Sequence, residues 1–315
     1  MSALLKALED YLAVRRGLGF ELRAVEWHLR KFVTFMEEQN ASHITTELAL
    51  RWARQPQNSD PANWARRLGV VRRFAVWQST TDPLTEIPPD GMLPYRYRRK
   101  PPYIYTDEEI ANLVQAACEL PSSKGLRGHT YSTIFGLLAV TGMRVSEVEA
   151  LDRQDVNLEE GILVIRRTKF GKSRMVPLHE STRDVLKDYA EARDRLFPVT
   201  TTQSFFISER GTRAMRWGMR YNFAKVSRQV GLRKPVEGHR HGHGPRIHDM
   251  RHRFSVRTLV DWYRAGLDVE REIPKLSAYL GHVHVNDTYW YLEAVPELLM
   301  LATERLVGKC EEVKP

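Results

Sequence analysis

The sequence predicts a mainly α-helical protein with a small β-hairpin or sheet, divided into two domains. Apolar residues recur at helical spacing through most of the chain, whereas residues 162–165 and 175–178 have the composition of extended strands. Prolines cluster near residue 95 and deny a helix its backbone donors, so this stretch marks a boundary. We therefore expect a helical domain at 1–95, a basic proline-rich linker at 96–105 and a mixed α+β domain at 106–315.

The first domain is expected to be a small bundle of helices with a basic face. Apolar positions within 4–12 and 25–36 repeat at the helical period, and further helices are expected at 45–53 and 63–78. Arginines fill most polar positions of the last helix and alternate with tryptophans, which suits contact with a phosphate backbone. A basic face that is merely solvated is the alternative. The arginines expected to face a polyanion are Arg66, Arg67, Arg72 and Arg73.

The second domain is expected to open with helices that place one arginine in a turn. Thr106 begins a capping box, and a buried helix at 131–140 is expected to end at Gly142. Ser146 has the residue type and spacing to cap the next helix. Arg144 would then lie in a tight turn between two helices, a rigid position for a phosphate ligand.

The middle of the second domain contains the expected β-structure. Residues 162–165 and 175–178 should pair as a hairpin with Lys169 and Lys172 at its tip. The remaining elements expected are helices at 181–196 and 214–230 and a short strand at 205–207.

Four histidines between residues 239 and 248 suggest a metal site. The glycines around them predict a flexible loop, however, and no cysteine or carboxylate pair completes a cage, so we expect no metal. Arg240 and Arg246 favour a loop close to a polyanion instead.

Composition narrows the class of protein. The chain has 315 residues with 48 Lys and Arg against 39 Asp and Glu, and this basic balance favours a polyanionic partner. An apolar fraction of 42% argues against disorder. Cys118 and Cys310 lack metal-type spacing and fit a reducing cytoplasm. We find no signal-peptide pattern and no apolar run near the roughly 18 residues of a membrane span.

The residues that carry chemistry follow one another in a set order. Arg144 comes after a Thr-Gly pair, His248 and Arg251 form a His-x-x-Arg box, His282 follows Leu-Gly, and Tyr291 lies further on. Guanidinium groups bind phosphate oxygens in two-point fashion and stay charged at any working pH. A tyrosine hydroxyl can attack phosphorus and hold it as an ester. Together these groups suffice to break a phosphodiester without a metal.

This ordered set, spread over roughly residues 105–299, resembles the tyrosine recombinase (phage integrase) family. The segment from 280 to 299 looks more like the integrases and transposases of mobile elements than like the chromosome-dimer resolvases. The resemblance implies an N-terminal helical core-binding domain followed by a mixed α+β catalytic domain. It also implies a site-specific recombinase that cleaves and rejoins double-stranded DNA through a 3′-phosphotyrosine, with no cofactor, for integration, excision or transposition.

The same resemblance sets expectations for partners. Family members act as homotetramers on paired DNA sites, so we expect a tetramer on DNA and a monomer off it. Accessory recombination proteins are further expected partners, and a membrane is not. The protein would work in the cytoplasm, associated with the nucleoid.

The resemblance also assigns roles to individual residues. Arg144 and Arg251 would hold the non-bridging phosphate oxygens, with Glu147 orienting Arg144. His248 would receive the proton of Tyr291, since a histidine titrates close to neutral pH. The remaining assignments are Lys169 as the acid that protonates the leaving 5′-oxygen, His282 as a phosphate ligand and His252 in a supporting role. Apart from the resemblance, the basic linker predicts DNA contacts from Arg98, Arg99 and Lys100, with a merely solvated spacer as the alternative, and Lys172 is a further expected DNA contact.

Some alternatives remain open. Tyr289 is a rival nucleophile, although on a helix it would point almost opposite to Tyr291. Lys172 is a rival acid on the hairpin. The rival functions are a catalytically idle DNA-binding regulator of recombination and a type IB topoisomerase-like enzyme.

Overall fold

The computed structural model describes residues 2–57, 59–94, 101–166, 173–199, 202–236 and 239–312. The chain forms two compact units, Met1–Lys100 and Pro101–Pro315. Of the predicted linker, Arg98, Arg99 and Lys100 lie outside the described residues. None of the described helices has the length and apolarity that a membrane span requires.

The first unit is a helical bundle. Its helices are α1 (Ala3–Gly17), α2 (Arg23–Glu38), α3 (Thr46–Arg54) and α4 (Pro61–Gln78). Ser2, Thr45 and Asp60 each accept a backbone N–H at the start of α1, α3 and α4, which satisfies donors that a helix leaves unpaired. The core is apolar and aromatic, with Phe32 and Trp52 among its fully buried side chains.

The second unit is mostly helical with two small antiparallel sheets. Its helices are α5 (Asp107–Cys118), α6 (Leu126–Thr141), α7 (Val145–Ala150), α8 (Glu180–Leu196), α9 (Arg216–Gln229), α10 (Asp249–Arg264), α11 (Val269–Leu280), α12 (Asn286–Ala294) and α13 (Pro296–Glu312). Its strands are β1 (Val156–Asn157), β2 (Ile162–Ile165), β3 (Arg174–Pro177), β4 (Lys234–Val236) and β5 (His239–His243). The predicted fold class, mainly α with a small sheet, is confirmed.

Helix α6 lies at the centre of this unit. Most of its residues are buried, and it belongs to the core that also contains β2, β3 and α9. A second core joins α10, α11, α12 and the start of α13, where Leu298 is fully buried. The predicted capping box of Thr106 and Glu109 opens α5, and Pro296 is the first residue of α13.

The predicted hairpin forms, with Ile165 opposite Arg174 and Ile162 opposite Pro177. Strand β1 adds on the other side of β2, which gives the order β1-β2-β3. In β3 the buried Val176 alternates with exposed neighbours, as expected for a strand packed on one face. The lysines predicted at the tip, Lys169 and Lys172, lie outside the described residues.

Two local predictions were wrong. Helix α7 begins at Val145, not after Ser146, because Glu147 rather than Glu149 occupies its third position and accepts from the backbone N–H of Arg144. Residues 205–207 form no strand, and within them only Ile207 makes an isolated bridge, to Arg213. The reason is that their backbone groups bind different segments: the N–H of Phe205 donates to the Leu151 carbonyl and that of Ile207 to the Tyr189 hydroxyl.

The histidine-rich stretch also differs from its prediction. It forms β5, which pairs with β4 in an antiparallel hairpin, rather than a flexible loop. Glycine residues weaken a strand but do not prevent one, and the backbone hydrogen bonds between β4 and β5 stabilise the strand here.

Gly142 ends α6 and begins the turn that holds Arg144. It adopts φ 62°, a left-handed conformation that favours glycine. A Cβ added at this position would lie 2.6 Å from Cδ1 of Phe254 on α10. The turn therefore depends on glycine for both its backbone conformation and its close approach to α10.

Gly142→Ala is expected to lower the thermal stability of the second unit. Overpacking typically costs about 1–3 kcal/mol, and a left-handed non-glycine residue adds about 1–2 kcal/mol. A drop in melting temperature of about 5–10 °C should follow for a unit of this size. Gly136→Ala is the matched control. Gly136 lies in the same helix, and a Cβ added there meets nothing within 4 Å. Equal melting temperatures for the two variants would contradict the role given to Gly142.

Candidate active site at the end of helix α11

The carbonyl end of α11 is where the predicted site residues of the second unit meet. The last carbonyls of a helix have no partner inside it. Here the carbonyls of residues 279, 280 and 281 accept from Arg174 Nε at 2.6 Å, Arg251 Nη2 at 2.8 Å and Arg144 Nη2 at 2.9 Å. The negative end of the helix dipole stabilises this cluster of cations.

Glu147 is the carboxylate among these arginines and is only 6% exposed. Its Oε1 accepts from Arg144 Nη1 at 2.8 Å and from Arg174 Nη1 at 2.9 Å. Its Oε2 accepts from Arg174 Nη2 at 2.8 Å and from the backbone N–H of Arg144 at 2.9 Å. Burial opposes ionisation of the carboxyl, but the hydrogen bonds and charges of Arg174 and Arg144 lower the pKa of Glu147 to about 2. It is therefore a carboxylate at neutral pH.

Arg251 is the deepest of the three guanidinium groups, at 2% exposure. Its Nη1 donates to the carbonyl of Gly142 and its Nη2 to that of Leu280, both at 2.8 Å. Burial and then the charge of Arg144 lower the pKa of Arg251 to about 10, so it remains charged at neutral pH. The site thus combines three cations with one carboxylate, an excess of positive charge that suits an anionic group.

Tyr291 lies on α12 and is 2% exposed. The distance between its Oη and His252 Nδ1 is 3.1 Å. The ring centroid of His248 lies 4.9 Å from that of His252. His252, predicted only to support the site, is therefore the histidine within hydrogen-bond distance of the tyrosine, whereas His248, predicted to receive its proton, packs on His252.

His248 stands at the start of α10 and lines a groove at the surface. Although the residue is accessible from the groove, protein atoms around the ring desolvate it. This desolvation, with a further contribution from Arg251, lowers the pKa of His248 to about 4. The imidazole is therefore neutral at neutral pH and able to accept a proton.

His282 follows the turn at Gly281 and is half-buried. Its Nδ1 lies 2.8 Å from Thr288 Oγ1, and its ring is stacked 6.5 Å from that of Tyr291. Tyr289 is 38% exposed, in contrast to Tyr291. Of the two tyrosines, only Tyr291 lies among the histidines of the site.

A basic groove of about 450 Å³ opens beside Arg144 and His248. Four further arginines line it: Arg216, Arg220, Arg233 and Arg246. Arg216 pairs with Glu149 at 2.8 Å and Arg246 with Asp249 at 2.9 Å, so acidic partners hold part of the wall in place. The side of the site that faces the groove is strongly cationic.

The arginines predicted on the first unit do not all reach its surface. Arg66 and Arg73 are exposed and Arg72 is half-buried, and they line a cleft of about 1030 Å³ within this unit. Arg67 is only 7% exposed, its Nη2 donates to the carbonyl of Trp52 at 2.8 Å, and its guanidinium lies 3.8 Å over the Trp52 ring. The expectation that Arg67 faces a polyanion was wrong, because the tryptophan binds it in the core.

The fold of the second unit brings six of the predicted site residues together: Arg144, Glu147, Arg251, His252, His282 and Tyr291. Lys169, the predicted acid, lies outside the described residues and is not placed. Within the part of the chain that the structure describes, no three His, Cys, Asp or Glu side chains group in a way that could hold a metal ion.

Arg174 and three of the groove arginines, Arg216, Arg220 and Arg233, were not predicted from the sequence, whereas Arg246 was expected near a polyanion. A signal for Arg174 was present, because strand alternation puts it on the same face as the buried Val176, where a charge needs a buried partner. Arg216 and Arg220 are four residues apart and so share a helix face. Neither pattern identifies the partner, which comes from a distant part of the chain.

Comparison with known proteins places these residues in a wider context. A profile of the phage integrase family matches residues 104–297. A Sinorhizobium fredii protein named as an integrase/recombinase, y4rB, is 46% identical over an alignment of 316 residues that covers 99% of this chain and 99% of its own. The tyrosine recombinase XerD of Staphylococcus epidermidis is 26% identical over 300 residues, covering 92% of this chain and 94% of its own.

Solved structures share the fold. The integrase of transposon Tn1549, in complex with transposon right-end DNA, has a TM-score of 0.62 at 14% identity, covering 96% of this chain and 99% of that one. A lambda integrase tetramer bound to a Holliday junction has a TM-score of 0.59 at 16% identity, covering 89% and 77%. At these identities the likeness concerns the fold alone.

Proposed function

The chain belongs to the phage integrase family of tyrosine recombinases, and on this premise we propose that it cleaves and rejoins double-stranded DNA through a 3′-phosphotyrosine at Tyr291. The observation that carries the proposal is the convergence at the end of α11. Two arginines, two histidines and a tyrosine from four separate elements meet there, and one of the arginines, Arg144, is bound by a buried carboxylate. A structural role alone would not need this combination beside a cationic groove.

In the first step, Tyr291 Oη attacks phosphorus and a bond to the leaving 5′-oxygen breaks. His252 is within reach of the tyrosine proton at 3.1 Å. His248, neutral at working pH, packs on His252 and is the second acceptor in line. Arg144 and Arg251 would stabilise the charge that develops on the non-bridging oxygens, since each guanidinium has donors beyond those already used.

In the second step, a 5′-hydroxyl attacks the phosphotyrosine and the tyrosine leaves. The ester keeps the energy of the original bond, so no ATP is needed. His282, held by Thr288 beside the Tyr291 ring, is positioned as a further phosphate ligand. The charge that a metal would otherwise supply comes from the arginines, so we propose metal-independent cleavage.

Lys169 remains the proposed acid for the leaving 5′-oxygen, with Lys172 as its rival. Lys169→Ala is expected to slow cleavage of ordinary DNA by about 10²–10⁴-fold, the usual contribution of a general acid. A 5′-bridging phosphorothioate leaves without a proton, so the variant should cleave that substrate at nearly the wild-type rate in a single-turnover assay. Equal defects on both substrates would move the role to Lys172 or a histidine.

DNA would contact the protein through basic surfaces on each unit. On the second unit we propose the groove lined by Arg216, Arg220, Arg233 and Arg246, since it leads to Arg144 and His248. On the first unit we propose DNA contacts from Arg66, Arg72 and Arg73, but not from the buried Arg67. Arg98, Arg99, Lys100 and Lys172 stay predictions outside the described residues.

The wider role and the assembly are part of the proposal. The similarity to y4rB and to the Tn1549 integrase fold supports recombination of a mobile element. A tetramer on paired sites is supported by the lambda integrase tetramer on a Holliday junction. The start of α13 packs on its own unit through Leu298, whereas Leu299 and Met300 are exposed and could meet a neighbouring protomer.

A nicked suicide substrate tests the proposed function. Cleavage beside the nick releases a short fragment, so the covalent adduct accumulates instead of being resealed. We expect an adduct in excess EDTA, and the released fragment should carry a free 5′-hydroxyl that polynucleotide kinase can label. An adduct attached through a 5′-phosphate, or a strict need for added Mg²⁺ or Zn²⁺, would contradict the proposal.

A further inference from the structure

Arg174 has no part in the reaction as described above, yet it is the most fully engaged side chain near the site. It begins β3, and its side chain is 11% exposed. Its Nε donates to the carbonyl of Tyr279, and its two Nη atoms donate to the two oxygens of Glu147. Both edges of the guanidinium are therefore bound to protein.

Arg144 differs from Arg174 although both contact Glu147. The side chain of Arg144 is 26% exposed, and it lines the basic groove. Only its Nη1 is bound by Glu147, while its Nη2 donates to the carbonyl of Gly281. Glu147 thus stands between an arginine that opens onto the groove and one that is enclosed.

The turn after α11 is built to admit both arginines. Gly281 adopts φ +66°, and a Cβ added there would lie 3.0 Å from Arg174 Nη1 and 3.5 Å from Arg144 Nη1. Any other residue would press on the Arg174 guanidinium and come into contact with that of Arg144. The carbonyl of the preceding residue, Leu280, binds Arg251, so one turn of backbone fixes all three arginines.

Resting on the function proposed above, we propose that Arg174 is a positioning residue for DNA cleavage. Through Glu147 and the end of α11 it holds Arg144 and Arg251 in the geometry that binds the phosphate, and it contacts no DNA itself. Two-point binding of a carboxylate is a task for which a guanidinium is suited and an ammonium is not.

The inference predicts how cleavage responds to loss of Arg174. Arg174→Met keeps much of the side-chain volume and removes the fork. Displacement of a reacting group by about 1 Å can cost roughly 10²-fold, so we expect single-turnover cleavage of the suicide substrate to fall about 100-fold. Binding of target DNA, measured by mobility shift, should stay within about twofold, because the groove arginines remain.

The pH profile separates positioning from a general loss of structure. The cations that face Glu147 are Arg144 from the start of α7, Arg174 from β3 and, at longer range, Arg251 from α10. With Arg174 present, Glu147 stays ionised from about pH 5 to pH 8. Without it, burial raises the pKa of Glu147, and Arg174→Met should show a rate that falls with falling pH. Adding Glu147→Gln to that variant should remove this acid limb.

Arg174→Lys is the conservative variant and guards against misfolding. Lysine keeps a positive charge beside Glu147, so no acid limb should develop, but it cannot bind both oxygens and the Tyr279 carbonyl. Its rate should therefore remain about tenfold below wild type at every pH. Arg127→Met is the matched control, since this half-buried arginine binds Asn222 and the Pro121 carbonyl away from the site.

The outcomes are distinguishable. If the wild-type protein forms the adduct and both Arg174→Met and Arg174→Lys cleave at the same rate as it does, this inference is overturned and the proposed function is intact. The inference would also be overturned if the DNA affinity of Arg174→Met fell by the same factor as its cleavage rate, because Arg174 would then be a DNA contact. A wild-type protein that forms no adduct would overturn the proposed function and this inference with it.

Discussion

Tyr291→Phe is expected to form no covalent adduct on a nicked suicide substrate while it still binds target DNA. The substitution removes only the hydroxyl, and the phenyl ring can keep its packing between the rings of His252 and His282. Without the hydroxyl there is no group to attack phosphorus, so the rate should fall by at least about 10⁴-fold, to below detection. Denaturing gel electrophoresis of the reaction measures this directly.

Tyr289→Phe is the matched control on the same helix. Tyr289 is 38% exposed and lies two residues from Tyr291, so the variant should retain the wild-type amount of adduct. The assignment would be overturned by the reverse pattern, in which Tyr291→Phe forms the adduct and Tyr289→Phe does not.

Arg251→Lys is expected to reduce single-turnover cleavage by about 10²–10³-fold, the usual cost of losing one donor to a developing oxyanion. Lysine keeps a charge, but a single ammonium cannot bridge the carbonyls of Gly142 and Leu280 and also reach a phosphate. The defect should appear in the cleavage rate with only a small change in DNA affinity.

Arg257→Lys provides the comparison for that variant. Arg257 lies on the same helix, is exposed, and pairs with Asp107 at the surface. Its replacement should change neither cleavage nor binding. A loss of DNA affinity in Arg251→Lys that accounts for the whole cleavage defect would show that Arg251 contributes to binding and not to the chemical step.

The helices and the turn between α6 and α7 that holds Arg144 could be predicted because the sequence signals for them are local. Gly142 ends α6 by its left-handed conformation, and the spacing of Thr106 and Glu109 specifies a capping box, as the structure confirms. The start of α7 was misplaced because Ser146 and Glu149 are three residues apart, the same spacing as Arg144 and Glu147, which form the cap in the structure. Glu147 prevailed since it also binds Arg174, a partner 27 residues away.

Contacts between distant segments could not be predicted. Arg67 reads as one of several surface arginines, and only the position of Trp52 shows that it is buried. His248 and His252 are one helical turn apart, so the sequence places both near the site but does not say which one meets Tyr291. That choice depends on how α12 packs against α10.

The most direct test of the account is to locate the covalent bond. The adduct from a suicide substrate, formed in EDTA, would be digested with nuclease and protease and the modified peptide sequenced by mass spectrometry. The account predicts a nucleotide joined through its 3′-phosphate to Tyr291. A nucleotide on Tyr289 or any other residue, or one joined through a 5′-phosphate, would contradict it.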